Sequence, residues 1–171
     1  MDIHSAWSGK ILPDVTFCGI QMSQMWRDLA LWEIFFNTYR FEKLIEIGTF
    51  HGGMSAFLGM QCISRGVEFV TIDTQYNVDN PNFLNTLGVQ RLRGDAFGQH
   101  HGVFFSDVPM CVFCDGGDKA REYRFASRIL RPGDYIVVHD YGTEFTTPDF
   151  EATPKLPFSP DGSLTLFMVK V

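Results

Sequence analysis

No apolar run in this chain approaches the roughly 20 residues that a membrane-spanning helix needs, so no such span is expected. Positive charge is also scarce. Fourteen Lys and Arg stand against 20 Asp and Glu, for a formal net charge of −6 and a pI near 5.2. That balance argues against a general polyanion binder and makes nucleic acid an unexpected partner, while leaving room for a local basic stripe. The opening MDIHSAWSGK has no charged-then-apolar signal pattern, and the expectation is a cytoplasmic protein with no membrane partner. Cysteine appears only at Cys18, Cys62, Cys111 and Cys114. The last two have Cys-x-x-Cys spacing, but they lie in the strand-like run MCVFCD, where residues three apart point to opposite faces. There is no second pair to complete a four-ligand zinc site, so buried free thiols are expected. Internal repeats and low-complexity tracts are absent as well. With 171 residues, 45% hydrophobic and 20% charged, the chain reads as one domain with an ordinary core.

What is present is an alternation. Residues 1–20 are irregular, punctuated by Gly9, Pro13 and Gly19. From Met22 to Phe36, apolar residues recur at threes and fours, which predicts an amphipathic helix with Ser23 as its N-cap. KLIEIG, VEFVTID, VQRLRG, PMCVFCD and DYIVVHD then read as five strands, the third weaker and near an edge. Helices are predicted from Met54 to Ser64, ended by Gly66, and from Lys119 to Leu130, stopped by Pro132-Gly133, with a short helix or turn from Pro81 to Leu87. Unbroken apolar strands alternating with helices indicate an α/β fold, a Rossmann-like, mostly parallel sheet of six to seven strands with helices on both faces. The core spans 21–142; residues 143–171 form a proline-containing loop region and a terminal strand, SLTLFMVKV.

The segment LIEIGTFHGGMS carries the first functional signal. A strand ends, the chain turns on Gly48, Gly52 and Gly53, and a helix begins. In open α/β sheets ligands bind at such carboxyl ends. Gly48 permits the turn, Gly52 and Gly53 permit a ligand to approach the backbone, and the helix start offers free N–H groups. The spacing is Gly-x-x-x-Gly-Gly, not the Gly-x-Gly-x-x-Gly of dinucleotide sites. Glu46, two residues before the first glycine, suits a ligand with a cationic centre and not a diphosphate.

EIGTFHGGMS resembles motif I of class I S-adenosylmethionine-dependent methyltransferases. Asp73, ending VEFVTID, falls where that family places an acid on the ribose, and Gly94-Asp95-Ala96 resembles the adenine-holding segment. CDGGDKAREY with LRPGDYIVVHDY resembles the cephalosporin hydroxylase and macrocin O-methyltransferase branch. The likeness covers residues 20 to 142. It implies a compact class I methyltransferase fold and methyl transfer from S-adenosylmethionine to an oxygen of a small-molecule acceptor. It also implies cofactor contacts at Glu46, Gly48, Thr49, Gly52, Ser55, Asp73, Asp95, Ala96 and Asp115.

Asp115 ends the fourth strand and His139-Asp140 the fifth, so the three side chains meet at adjacent strand ends. In the resembled branch a magnesium ion sits here and lowers the pKa of the acceptor hydroxyl. By position its ligands are Asp115, His139 and Asp140, so a divalent cation, magnesium or manganese, is the expected second cofactor. Two departures stand out. His139 replaces the branch's frequent Glu, which weakens the case for a hard cation and leaves manganese, iron or zinc open. Asp118 replaces the His of an Asp-Gly-x-His pattern, so either Asp118 adds a carboxylate or base work moves to His139. The catalytic candidates are therefore His139, Asp115 and Asp118. His51 is as consistent with solvent as with cofactor, and His100-His101 lacks companion ligands.

The acceptor is not legible. Residues 1–20 and 141–160 would shape its pocket, with Trp7, Phe17, Tyr141, Phe145 and Phe150 either lining it or packing their own loops. Arg121, Arg124, Arg128 and Arg131 recur at helical spacing and read as a solvated helix face instead of an RNA stripe. The chain is short for the resembled family, which leaves an open site or one completed by a second subunit of a homo-oligomer. Two other readings stand beside the enzyme: a domain that binds S-adenosylmethionine or S-adenosylhomocysteine without catalysis, as sensor or partner subunit, and an ordinary nucleotide-binding oxidoreductase, which the glycine spacing disfavours.

Overall fold

The computed structural model describes residues 15–75, 77–146, 153–157 and 164–171. Two two-residue strands come first, β1 (Thr16–Phe17) and β2 (Ile20–Gln21), paired antiparallel. The tight turn between them is Cys18-Gly19, both with positive φ, as a primed hairpin turn requires. Then come α1 (Trp26–Thr38), β3 (Lys43–Ile47), α2 (Gly53–Arg65), β4 (Glu68–Asp73), α3 (Pro81–Thr86) and β5 (Gln90–Arg93). A short 3-10 helix (His101–Phe104), β6 (Met110–Cys114), α4 (Lys119–Ile129), β7 (Tyr135–Val138) and β8 (Leu166–Val169) complete the order.

The main sheet runs β5-β4-β3-β6-β7-β8, all parallel except β8, which lies antiparallel to β7. The expected α/β architecture is present, and VQRLRG does form an edge. Strand order reverses between β3 and β6, where a chain that has stepped outward to β5 crosses back. Crevices at such reversals collect ligands in open sheets.

Each face of the sheet has its own core. Leu44, Cys111, Phe113, Val137 and Phe167 pack against α1 and α2, whereas Ile45, Val112, Cys114, Ile136 and Met168 face the side of α4. Cys111 and Cys114 thus fall on opposite faces, both buried and free. Trp32 of α1 is the centre of the first core, its ring 5.0 Å from Phe113 and 5.2 Å from Phe167 in edge-on contact.

Helix α1 starts later than its apolar period suggests. Met25 occupies the cap position, and Asp28 performs the capping by accepting the Met25 N–H at 3.2 Å, while Ser23 takes no part. Asp28 also accepts the Thr165 hydroxyl at 2.8 Å, which ties the start of α1 to the approach of β8. Gly66 ends α2 in the left-handed conformation, as its position predicts. No helix among the described residues is long and apolar enough to cross a membrane.

Candidate active site at the carboxyl ends of β3, β4, β6 and β7

The crevice is organised around one backbone contact. Gly48, just past β3, has φ of +100°, and a Cβ built there would meet the Asp115 carbonyl oxygen at 2.4 Å. Only glycine lets the two strand ends approach so closely. Two cavities share this contact, both lined by Gly48, Phe50 and Asp115. The larger, of about 510 Å³, extends over β4 and β5 and is lined by Asp73, Gln75, Asp95, Ala96, Phe97, Asp118 and Arg121, among others. The smaller, of about 290 Å³, opens over β6 and β7 between Gln21–Gln24, Thr49, Met54, Lys119, His139 and Asp140. Phe50 and Asp140 hold left-handed backbone with φ of 51° and 58°, a strain that clusters at functional positions.

The other two glycines of the turn do work different from that expected of them. Gly53 clears the hairpin segment, since a Cβ there would lie 2.4 Å from the Gln21 carbonyl oxygen. Gly52 lines neither cavity; it caps α2 in left-handed backbone and packs against Val78 and Leu84. Both missing side chains make room for the protein itself, and Gly53 also lines the smaller cavity.

Glu46 is fully buried under the turn and lines neither cavity. Its Oε2 accepts the hydroxyls of Ser55 and, at 2.6 Å, of Thr71, its register partner on β4. Because the Thr71 proton is spent on Glu46, the Thr49 hydroxyl 2.6 Å away must donate to Thr71, a relay that ends at the wall of the smaller cavity. Glu46 Oε1 is buried with no partner. Burial raises the carboxyl to about 8, against the opposing pull of the two hydroxyls.

Asp73 ends β4 and holds the turn together. Its Oδ2 accepts the N–H groups of Thr49 at 2.8 Å and Phe50 at 2.9 Å, and its Oδ1 that of Gln75 at 2.8 Å. A carboxylate offers about four acceptor positions, so one remains for a ligand hydroxyl. Asp95 accepts the Phe97 N–H at 3.1 Å, and the buried Ala96 floors the larger cavity. Arg121 lies over the Phe97 ring at 4.4 Å, and the guanidinium of Arg131 reaches Asp134 and the Val108 carbonyl. Arg121 and Arg131 are thus engaged locally.

Asp115, His139 and Asp140 converge as their positions predict, with one ligand atom from each within 4.8 Å of the others. His139 Nδ1 lies 3.2 Å from Asp115 Oδ1 and 3.2 Å from Asp140 Oδ1. Burial pulls the imidazole down, but the two carboxylates outweigh it and raise it to about 10. With no cation between them, the two acids thus favour the charged form of the ring. Asp118 is not part of this group. It caps α4, its Oδ1 accepting the Arg121 N–H at 3.0 Å, and its carboxylate belongs to the larger cavity.

Three further residues complete the site without any signal in the sequence pattern. Gln24 Nε2 donates to Asp115 Oδ2 at 2.7 Å, leaving Gln24 Oε1 buried with no partner. Lys119 Nζ, from the first turn of α4, lies 2.8 Å from Asp140 Oδ2 and 2.9 Å from Glu144 Oε2 and donates to the Gly116 carbonyl at 2.8 Å. Burial lowers Lys119, but the hydrogen bonds to Asp140 and Glu144 prevail and raise it, while His139 and Lys119 overcome burial to hold Asp140 well below the usual range. Glu122, raised to about 7 mainly by burial, props the loop after β6 by accepting the N–H groups of Gly116 and Asp118.

Other candidates lie elsewhere. His51 is bound to Asp79 at 2.7 Å, His100 Nε2 contacts the Arg93 carbonyl at 2.9 Å, and His101 packs edge-on to Phe105. Phe17 packs on Phe57 and the buried Phe145 on Tyr123, so neither lines the smaller cavity. Tyr141 carries Lys155 over its ring, and Trp7 and Phe150 lie outside the described residues.

No protein-family model matches the chain, and no curated protein matches it by sequence. Solved structures do. The apo structure of CmcI superposes with a TM-score of 0.72 at 13% identity, over 92% of this chain and 76% of that one. The Mg-SAM structure of CmcI gives 0.60 at 15% identity, over 80% and 65%. The O-methyltransferase TomG from Streptomyces achromogenes, in complex with SAM, gives 0.56 at 21% identity, over 71% and 58%. This chain thus spans less than two thirds of the Mg-SAM CmcI chain and of TomG. It has their fold, a mostly parallel sheet packed with helices.

Proposed function

We propose that this protein transfers a methyl group from S-adenosylmethionine to an oxygen of a small-molecule acceptor, with a divalent cation at Asp115, His139 and Asp140. The observation that carries the reading is the pair of cavities meeting at Gly48, Phe50 and Asp115, above a buried acid with one bare oxygen. A nucleoside with a charged amino-acid tail has two such halves.

The residues fit the donor in kind. The larger cavity would take the nucleoside, with Asp73 offering its one remaining acceptor position to the ribose and Asp95 and Ala96 bordering the base. Glu46 would favour the tail's ammonium from beneath the turn through the charge on Oε1, without lining the cavity, Ser55 and Thr71 having fixed Oε2. Gly48 and Thr49 line the wall between, where the backbone can come close. Bound there, S-adenosylmethionine supplies an electrophilic methyl on a positively charged sulfur.

The cation fits as well: one imidazole nitrogen and two carboxylate oxygens face each other, with coordination positions left toward the smaller cavity. Its contribution would be to bind the acceptor hydroxyl and lower its pKa. The protein's own share is alignment, which accounts for most of what an in-line transfer needs. Gln24 and Lys119 hold the two carboxylates, and the segment Gln21–Gln24 walls the acceptor side.

The test is a turnover screen. The purified chain, given S-adenosylmethionine and magnesium or manganese, is offered phenols, enols and sugar alcohols while S-adenosylhomocysteine release is followed. Release that depends on one acceptor class supports the enzyme. Folded protein that binds the donor but turns over nothing would reduce it to a binding domain.

A further inference from the structure

The two carboxylates of the cluster are each tied back by one oxygen. Gln24 holds Asp115 Oδ2 at 2.7 Å and Lys119 holds Asp140 Oδ2 at 2.8 Å. Their remaining Oδ1 atoms both face His139 Nδ1, each at 3.2 Å. An ion-paired N–H···O contact runs to about 2.7–2.9 Å, and one N–H shared between two carboxylates reaches neither at that length. Cis ligands around a cation with bonds of about 2.1 Å stand about 3.0 Å apart, which is nearer what is seen. Charge agrees: with a neutral imidazole, Asp115, Asp140 and Glu144 against Lys119 leave two negative charges, which one divalent cation neutralises. A second observation is independent of the acids. Gln24 is 2% exposed and lines the same cavity, and its Oε1 has no partner. Because a carboxylate only accepts, the bond to Asp115 fixes which end of the amide is left over.

Resting on the methyl-transfer reading, we propose that the cluster selects a nitrogen-accepting divalent cation, manganese or its first-row neighbours, over magnesium. His139 Nδ1, Asp115 Oδ1 and Asp140 Oδ1 form the ligand face, and Gln24 and Lys119 act as positioning residues that enforce single-oxygen binding by each acid. Magnesium prefers an all-oxygen shell, whereas imidazole suits manganese, iron, cobalt and zinc. Positioning groups of this kind commonly affect metal affinity by about 10- to 100-fold.

The chelator-treated full chain is titrated calorimetrically with manganese(II) chloride and with magnesium chloride, no methyl donor being present. Manganese should bind one per chain at least about tenfold tighter than magnesium, and His139→Glu should erase that preference. Gln24→Met, which keeps the volume, should weaken manganese about tenfold and change the visible spectrum of the cobalt form as Asp115 is freed to bind through both oxygens. Circular dichroism establishes that each variant is folded. Magnesium binding as tightly as manganese, or a preference that survives His139→Glu, overturns the inference. So does wild type that takes up neither cation while binding S-adenosylhomocysteine, a result that leaves the donor reading intact. Manganese binding without any S-adenosylhomocysteine binding sinks the donor reading and leaves the metal site standing.

Discussion

Thr71 Oγ1 stands 2.6 Å from Glu46 Oε2, the two residues being register partners on β4 and β3 in the interior of the sheet. With Ser55 it holds one oxygen of the acid and leaves the other bare. A carboxyl raised from 4.5 to about 8 adds stability that is complete below pH 4.5 and is lost as the pH rises through 8. The cofactor-free protein should therefore melt at falling temperature from pH 5 to pH 8.5. Glu46→Gln should flatten that decline and melt several degrees above wild type at pH 8.5. Differential scanning calorimetry across this range checks it, and an unchanged slope in the variant would remove Glu46 as the cause.

Asp73 predicts a double effect. Its three backbone N–H contacts bind the glycine turn to β4, so Asp73→Ala should lose about 2 kcal/mol of stability with no ligand present. Urea denaturation of the ligand-free protein measures this. An equally stable variant would mean that the turn holds without the acid.

The glycines divide into tight and free. Gly48→Ala would set a Cβ 2.4 Å from the Asp115 carbonyl oxygen at a φ of +100°, and a loss of more than about 3 kcal/mol is expected. Gly66→Ala meets nothing within 4 Å and bears only the left-handed backbone cost of about 1 kcal/mol. Thermal unfolding of the pair should show a wide gap, and comparable losses would contradict the packing described at the strand switch.

Asp118 should behave as a cap. Asp118→Ala is expected to cost about 1 kcal/mol through loss of the Arg121 N–H contact, and Asp118→Ser should restore most of it. Denaturation midpoints distinguish this from a chemical role, for which the serine variant would offer no rescue.

Much of this architecture was legible from local pattern, because parallel buried strands and their helices announce themselves by period. The weak third strand proved to be the edge, and the strand-end rule brought Asp115, His139 and Asp140 together. What escaped was of two kinds. The β1–β2 hairpin has strands too short to show alternation and a Cys-Gly turn in place of the usual Asn-Gly. Gln24 and Lys119 act across 91 residues and 21 residues respectively, on partners that no spacing links to them. The upward pull of Asp115 and Asp140 on His139 likewise appears only once the three side chains are placed. Asp118 was assigned to chemistry because it stands beside it, yet it caps a helix, and Gly52 was expected to meet the ligand but lines neither cavity.

The most direct measurement is calorimetric titration of the chelator-treated protein with S-adenosylhomocysteine at pH 6 and pH 8, beside Glu46→Gln and with NAD as control. One molecule per chain should bind, more tightly at pH 8, where Glu46 gives its proton up to solvent more readily and its carboxylate can balance the ammonium. Glu46→Gln should bind about tenfold more weakly at pH 8 with the pH dependence gone, and NAD should not bind. Folded wild type that binds no S-adenosylhomocysteine at either pH would contradict the account at its centre.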